Sequence, residues 1–144
     1  MRLPGKVWET NVHTELNKEN LLLRAEDFSP VFWELLRQAN GNPDQLEQIL
    51  WGVSREIVEV YYHEFNRAVA NLRSSELPDH FGMCSEDMKI ETLDYIVGQG
   101  KEFYSEMLLH PERVPIGEYI NAPAFCGAAL VVYRERFGQE IPCR

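Results

Sequence analysis

Cys84 stands four residues after His80, with Asp79, Glu86 and Asp87 close by. A thiol, an imidazole and a carboxylate are the parts of a nucleophile, its base and an orienting acid. A cysteine near a helix N-terminus also has its thiolate favoured. His80, Cys84 and Asp87 are therefore the candidates for a catalytic loop. Glu59 and His63 lie four apart, with Glu56 nearby, a spacing that puts two metal-ligand types on one helical face. Helical di-iron sites use Glu-x-x-His pairs and need ligands from other helices. No such set is visible, so a solvated polar face is the simpler reading, and neither metal nor cofactor is expected. Glu91 and Asp94 read as surface acids. Gly98-Gln99-Gly100 is only a GxG and follows no strand pattern, so it is not read as a phosphate cradle. No GxSxG, HExxH, P-loop or GxGxxG occurs.

The elements that must position these groups read as helices. Ser29-Pro30 is an N-cap followed by proline at the first helical position. Phe32, Trp33 and Leu36 recur at helical spacing, and Asn40-Gly41 closes that helix. Asn42 caps the next, with Gln45 at the capping-box position and Leu46, Ile49, Leu50 and Val53 on its buried face. Gly52 interrupts it, and Ser54 is a fresh N-cap. Val58, Tyr61, Phe65, Ala68 and Leu72 form the strongest periodic stripe in the chain, widened by Ile57 and Val69. Pro78 to Gly82 reads as a loop.

Ser85 caps the following helix, with Glu86 and Asp87 in its first turn, where acids complement the helix dipole. Leu93, Ile96 and Val97 continue in helical phase. Gly98 and Gly100 would each cost about 1 kcal/mol relative to alanine in a helix interior. Either the helix breaks there, or Gly100 lets another helix approach closely. The reading adopted is a bend followed by a second helix through Leu109, ended by His110-Pro111. Residues 111–121 read as a loop. Asn121-Ala122-Pro123 opens a last helix with the stripe Phe125, Ala128, Ala129, Val132 and Tyr133, ending at Phe137-Gly138. Val7, Trp8 and Val12 suggest a short strand or an arm. The expectation is an all-α domain of about six helices over residues 28–144, flanked by an N-terminal arm over 1–27.

The chain has 144 residues, enough for one domain that folds without disulfides or metals. Its 23 acids outnumber 14 bases, for a formal net charge of −9. With no run of basic residues, binding to nucleic acid or to an anionic membrane is not expected. A protein partner with a basic surface would be steered toward this charge. Cys84, Cys126 and Cys143 are an odd, widely spaced set, which reads poorly as a disulfide framework. No signal-peptide pattern is evident, and no apolar run approaches the roughly 20 residues that span a bilayer. The setting expected is reducing and cytoplasmic.

Certain stretches, taken together, resemble a known family. They are Phe32-Trp33, Gly82 with Cys84-Ser85-Glu86-Asp87, Asp94-Tyr95, Val97-Gly98-Gln99-Gly100-Lys101 and Pro111-Glu112. The sequence is similar to an uncharacterised bacterial family, domain of unknown function 4240, over residues 28–142. That family runs Phe-Trp, a helical middle, a Gly-x-Ser-(Asp/Glu)-Asp loop, a Trp-Leu-Ile-x-Gln-Gly-(Arg/Lys) segment and a loop beginning Asp-Pro. Here Met88-Lys89-Ile90 stands where the family has an aromatic, and Tyr95-Ile96-Val97 where it has Trp. The resemblance implies a bacterial helical domain and brings no established activity. The binding candidates in these stretches are Trp33, Ser85, Glu86, Asp87 and Gln99.

The function expected is a non-catalytic helical protein-binding or regulatory domain, an immunity protein against a bacterial toxin being one form of it. The alternative is a small hydrolase or transferase using the Cys/His/acid loop over residues 79–87. The sequence names no partner and sets no oligomeric state.

Overall fold

A computed structural model describes residues 22–82, 84–115 and 124–143. Its elements are a 3-10 turn at Ala25–Asp27, α1 (Pro30–Ala39), α2 (Pro43–Trp51), α3 (Arg55–Arg73), a 3-10 turn at Leu77–His80, α4 (Glu86–Gly98), α5 (Lys101–Leu109), a 3-10 turn at Pro111–Arg113 and α6 (Ala124–Phe137). No strand occurs among the described residues, and the fold is all-α with six helices. The strand or arm expected around Val7, Trp8 and Val12 lies outside the described residues, as does the helix start at Asn121-Ala122-Pro123.

Local chemistry sets the helix starts. Ser29 Oγ accepts from the Phe32 amide at 3.4 Å, with Pro30 at the first helical position. Asn42 Oδ1 accepts from the amides of Asp44 and Gln45 at 2.9 and 3.2 Å. Ser54 Oγ accepts from Ile57 at 3.2 Å. Each satisfies a donor that a helix N-terminus would otherwise leave unpaired. Between α1 and α2 the chain turns through Asn40 (φ 52°) and Gly41 (φ 75°), left-handed conformations that asparagine and glycine tolerate.

The α3 stripe is the centre of the core. Val58, Tyr61, Phe65, Ala68 and Leu72 are fully buried, and burying each large side chain contributes about 1.5–3 kcal/mol. Phe32 of α1 meets Tyr61 and Phe65 at ring-centroid distances of 5.6 and 6.3 Å. Helix α6 packs on α2, α3 and α4. Its buried Ala128 and Ala129 leave little side chain between backbones. Arg136 then reaches back and donates to the carbonyls of Leu50 and Val53 at 2.9 and 2.6 Å, satisfying the free end of α2.

Several sequence expectations need correction. The Pro78–Gly82 loop and the 111–121 loop each begin with a 3-10 turn. In both, proline supplies the helical φ, and at the first one Ser75 Oγ accepts from the Leu77 amide at 3.1 Å. At the two glycines the structure has the expected bend followed by a second helix through Leu109, with α4 ending at Gly98 and α5 running Lys101–Leu109. Gly100 marks the break: with φ at 109° it stands between the end of α4 and the start of α5 as the N-cap of α5. The close approach belongs to Gly98, where a Cβ would run into the ring of Phe125. Asp94 is no surface acid, for it is 4 % exposed.

Candidate binding site

The loop over residues 79–87 is built first by its cap. Ser85 Oγ accepts from the Met88 amide at 3.1 Å. Glu86 projects outward and pairs with Arg73 at 3.5 Å and Lys89 at 3.6 Å. His80 and Asp87 are exposed, and Cys84 is half-buried against the core. A nucleophile and its base meet within hydrogen-bond reach, about 2.6–3.2 Å. Among the described residues no hydrogen bond or ion pair joins His80, Cys84 and Asp87. This arrangement caps a helix and displays acids.

Glu59 and His63 do not act together. Tyr133 Oη donates to Glu59 Oε2 at 2.6 Å, and Arg55 Nε donates to Tyr133 Oη at 2.8 Å. His63 Nε2 donates to the Pro142 carbonyl at 2.9 Å. Both side chains fasten the C-terminal end of the chain onto α3 and are not a merely solvated face. Among the described residues no group of three or more His, Cys, Asp or Glu side chains is placed to hold a metal ion, and no helix is long and apolar enough to cross a membrane.

Trp33 and Gln99, far apart in sequence, line one cleft of about 500 Å³. It lies between the start of α1 and the Gln99-Gly100 break. Its floor is Phe28 and Trp33, whose rings meet edge-on at 5.9 Å. Trp33 Nε1 donates to the Ala25 carbonyl at 2.8 Å, which fixes the indole. Gln99 caps the C-terminus of α4, and its amide lies against Gly41, where any side chain would press on Gln99 Oε1. On the rim, Arg37 Nε donates to Glu34 at 2.9 Å. Arg37, and after it Gln38, hold the Glu34 carboxyl down at about 2. Glu26, Lys101, Glu102 and the Gln99 amide line the same cleft without a side-chain hydrogen bond or ion pair among the described residues. The binding candidates therefore divide. Trp33 and Gln99 share the cleft, whereas Ser85, Glu86 and Asp87 sit at the far end of α4, roughly 20 Å away at 1.5 Å per residue.

Two buried polar groups carry much of the architecture and escaped the sequence reading. Asp94 accepts from the backbone amides of Phe125 and Cys126, each at 3.1 Å, and so caps α6 from another helix. Burial pushes its carboxyl pKa up, and those amides, with that of Ala124, hold it back. Beside it, burial and then the Asp94 charge push the Cys126 thiol up to about 12, so this cysteine is held as an unreactive thiol. Asn71 accepts from the Leu23 amide at 2.7 Å and donates both to the Leu23 carbonyl at 2.7 Å and to Tyr104 Oη at 2.6 Å. Polarity on an apolar flank is the signal that could have found both. Asp94 precedes Val97 and Gly98 by one helical turn, and Asn71 follows Ala68 by one turn. Comparison with protein-family models, curated proteins and solved structures finds no match for the chain.

Proposed function

We propose that this chain is a non-catalytic binding domain of a bacterial cytoplasmic protein. It takes a protein partner with a basic surface at the Trp33–Gln99 cleft, with immunity against a toxin as the candidate role. The observation that carries the reading is the cleft itself, where a fixed aromatic floor meets a rim of polar groups without a side-chain partner among the described residues, the Gln99 amide, Glu26, Lys101 and Glu102. Apolar surface with a few placed polar groups is the make-up of a recognition site. The net charge of −9 supplies the attraction for a cationic partner. The three free thiols fit a reducing compartment. Membership of the family that the motifs resemble is part of the same proposal.

The test is affinity capture from a bacterial lysate with the full chain as bait, wild type beside Gln99→Arg. The expected result is a basic protein held by the wild type, released by salt near about 0.5 M, where charges are strongly screened, and not held by the variant. Equal capture by both chains, or capture only of acidic proteins, would overturn the reading. So would an esterase or transferase activity that disappears in Cys84→Ser, because that activity belongs to the loop over residues 79–87.

A further inference from the structure

Residues 22–29 reach the helical body in an unusual manner. Their backbone groups bond to side chains of that body and, in the segment itself, to one another. Asn71 holds the Leu23 N–H and C=O, each at 2.7 Å. Tyr104 Oη adds a second donor to the Leu23 carbonyl at 3.3 Å. Trp33 Nε1 donates to the Ala25 carbonyl at 2.8 Å, and Glu64 Oε1 accepts from the Ser29 amide at 2.8 Å. Within the segment, the Asp27 and Phe28 amides bond to the Arg24 and Ala25 carbonyls. Ala25 and Phe28 are the buried anchors, 1 % and 3 % exposed.

A carboxamide that pairs with both the N–H and the C=O of one residue reads main chain. It imitates a β-ladder partner and does not depend on which side chain the held residue carries. Around it, one slot takes a small residue and a second takes an aromatic ring three positions on, edge-on to Trp33 and Tyr104 at 5.9 and 5.8 Å. We infer that this face of α1, α3 and α5 is a peptide-binding groove occupied in cis by residues 22–29. It accepts in trans a segment of a protein partner with the same small-x-x-aromatic pattern, paired through its main chain at the Leu23 position and folded into a 3-10 turn between the small and the aromatic residue. The inference rests on the reading of the chain as a binding domain and names the class of partner. The same segment forms one wall of the Trp33–Gln99 cleft through Glu26 and Phe28, so exchange at the groove also remakes that cleft.

A cis occupant taxes every trans ligand by the fraction of time that the groove stands empty. Weakening the occupant without touching the groove should therefore raise trans affinity. The probe is a fluorescent peptide of residues 22–30 in its natural sequence, titrated into the purified full chain. Ala25→Glu, which drives the segment out of its slot, should bind the probe at least about tenfold tighter than wild type. Adding Asn71→Ala to that variant should weaken the probe about tenfold, because the main-chain pairing is gone. No binding by Ala25→Glu, or binding indifferent to Asn71→Ala, overturns the inference. Should Ala25→Glu fail to fold, amide exchange on the wild type decides. Leu23 and Ser29 should exchange at least about tenfold faster than Phe65, as a segment that leaves while the core stays folded. Equal protection overturns the inference. Loss of the peptide result, with lysate capture by the wild-type chain retained, removes this inference alone.

Discussion

At the start of α4 the chain caps itself: Ser85 Oγ accepts from Met88 three residues on, at an exposed position. At the start of α6 the acceptor arrives from another helix, Asp94, 31 residues before Phe125, at a position closed to solvent. Both ends answer the same need, the unpaired amides of a first helical turn. They differ in what the bond does. The Ser85 bond joins a helix to itself. The Asp94 bonds join two helices and fix their register. Around them Tyr61 Oη donates to the Phe125 carbonyl at 2.8 Å, and Gly98 leaves room for the Phe125 ring. Phe125 is thus gripped through its N–H, its C=O and its side chain. One helix start is a local detail, and the other is a joint of the fold.

Breaking the joint should have the largest effect. Asp94→Ala leaves one buried and one part-buried amide without their carboxylate acceptor, and a hydrogen bond to a charged group is worth about 1.5–3 kcal/mol. The expected loss is about 3–5 kcal/mol in urea unfolding. A loss below about 1 kcal/mol would put the two helix starts on a par and end the contrast. The pH dependence sharpens the same point. Burial raises the folded pKa of Asp94, so the native state holds that proton more tightly than the unfolded chain. Its contribution is fully present below the unfolded value of about 3.9 and is lost as pH rises through the folded value. Compared with Asp94→Asn, the wild type should therefore gain stability as pH falls through the folded value toward the unfolded value of about 3.9. A change of opposite sign would mean that the amide bonds outweigh burial.

Gly98→Ala comes next. Alanine at an ordinary helical position stabilises by about 1 kcal/mol relative to glycine. Here its methyl group strikes a ring that is held at both backbone ends, and overpacking of that kind costs about 1–3 kcal/mol. The net expectation is destabilisation, relieved in part when Phe125→Leu is added. A stabilised Gly98→Ala would show that Phe125 is free to move and that the joint is loose.

The contrast also explains what could be read from the residues alone. Ser29, Asn42, Ser54 and Ser85 were legible as caps because donor and acceptor lie within one turn of chain. The α3 stripe was legible because burial repeats with the helix period. Asp94 and Asn71 were not, because a remote acceptor leaves no spacing rule. Each looks like any polar residue until the partner helix is in place. Gly98 and Gly100 drew notice as a pair. Which glycine breaks the helix and which admits a neighbour depends on a ring 27 residues away in sequence. The Trp33–Gln99 cleft was half legible: both residues stood out, but no local rule places the end of α4 beside α1.

Ser85→Ala tests the local side of the comparison. The expected cost is about 1 kcal/mol, the usual worth of an exposed N-cap, and amide exchange should rise in the first turn of α4 while Phe125 and Cys126 stay protected. A cost matching that of Asp94→Ala would make Ser85 a joint as well, and it would assign the loop over residues 79–87 a role in the fold beyond its own helix.

The smallest effect is expected at Glu86. Its carboxylate reaches Arg73 at 3.5 Å and Lys89 at 3.6 Å, but its side chain is 65 % exposed. Exposed pairs at such distances are worth about 0–1 kcal/mol, because water and salt screen the attraction and two long side chains must be held still. Its place in the first turn of α4 adds about 0.3–1 kcal/mol with the helix dipole at low ionic strength. Glu86→Gln removes the charge and keeps the shape. The expected loss is about 0.5 kcal/mol in low salt, fading in about 1 M salt, where the Debye length falls to about 3 Å. Asp94, shielded from solvent, should show no such fading. Measuring both variants across the same salt series separates the two kinds of helix start by mechanism as well as by size. If Glu86→Gln kept its full cost in high salt, the Arg73 contact would be a buried crosslink between α3 and α4, and the acids at this end of α4 would rank with Asp94 as part of the frame.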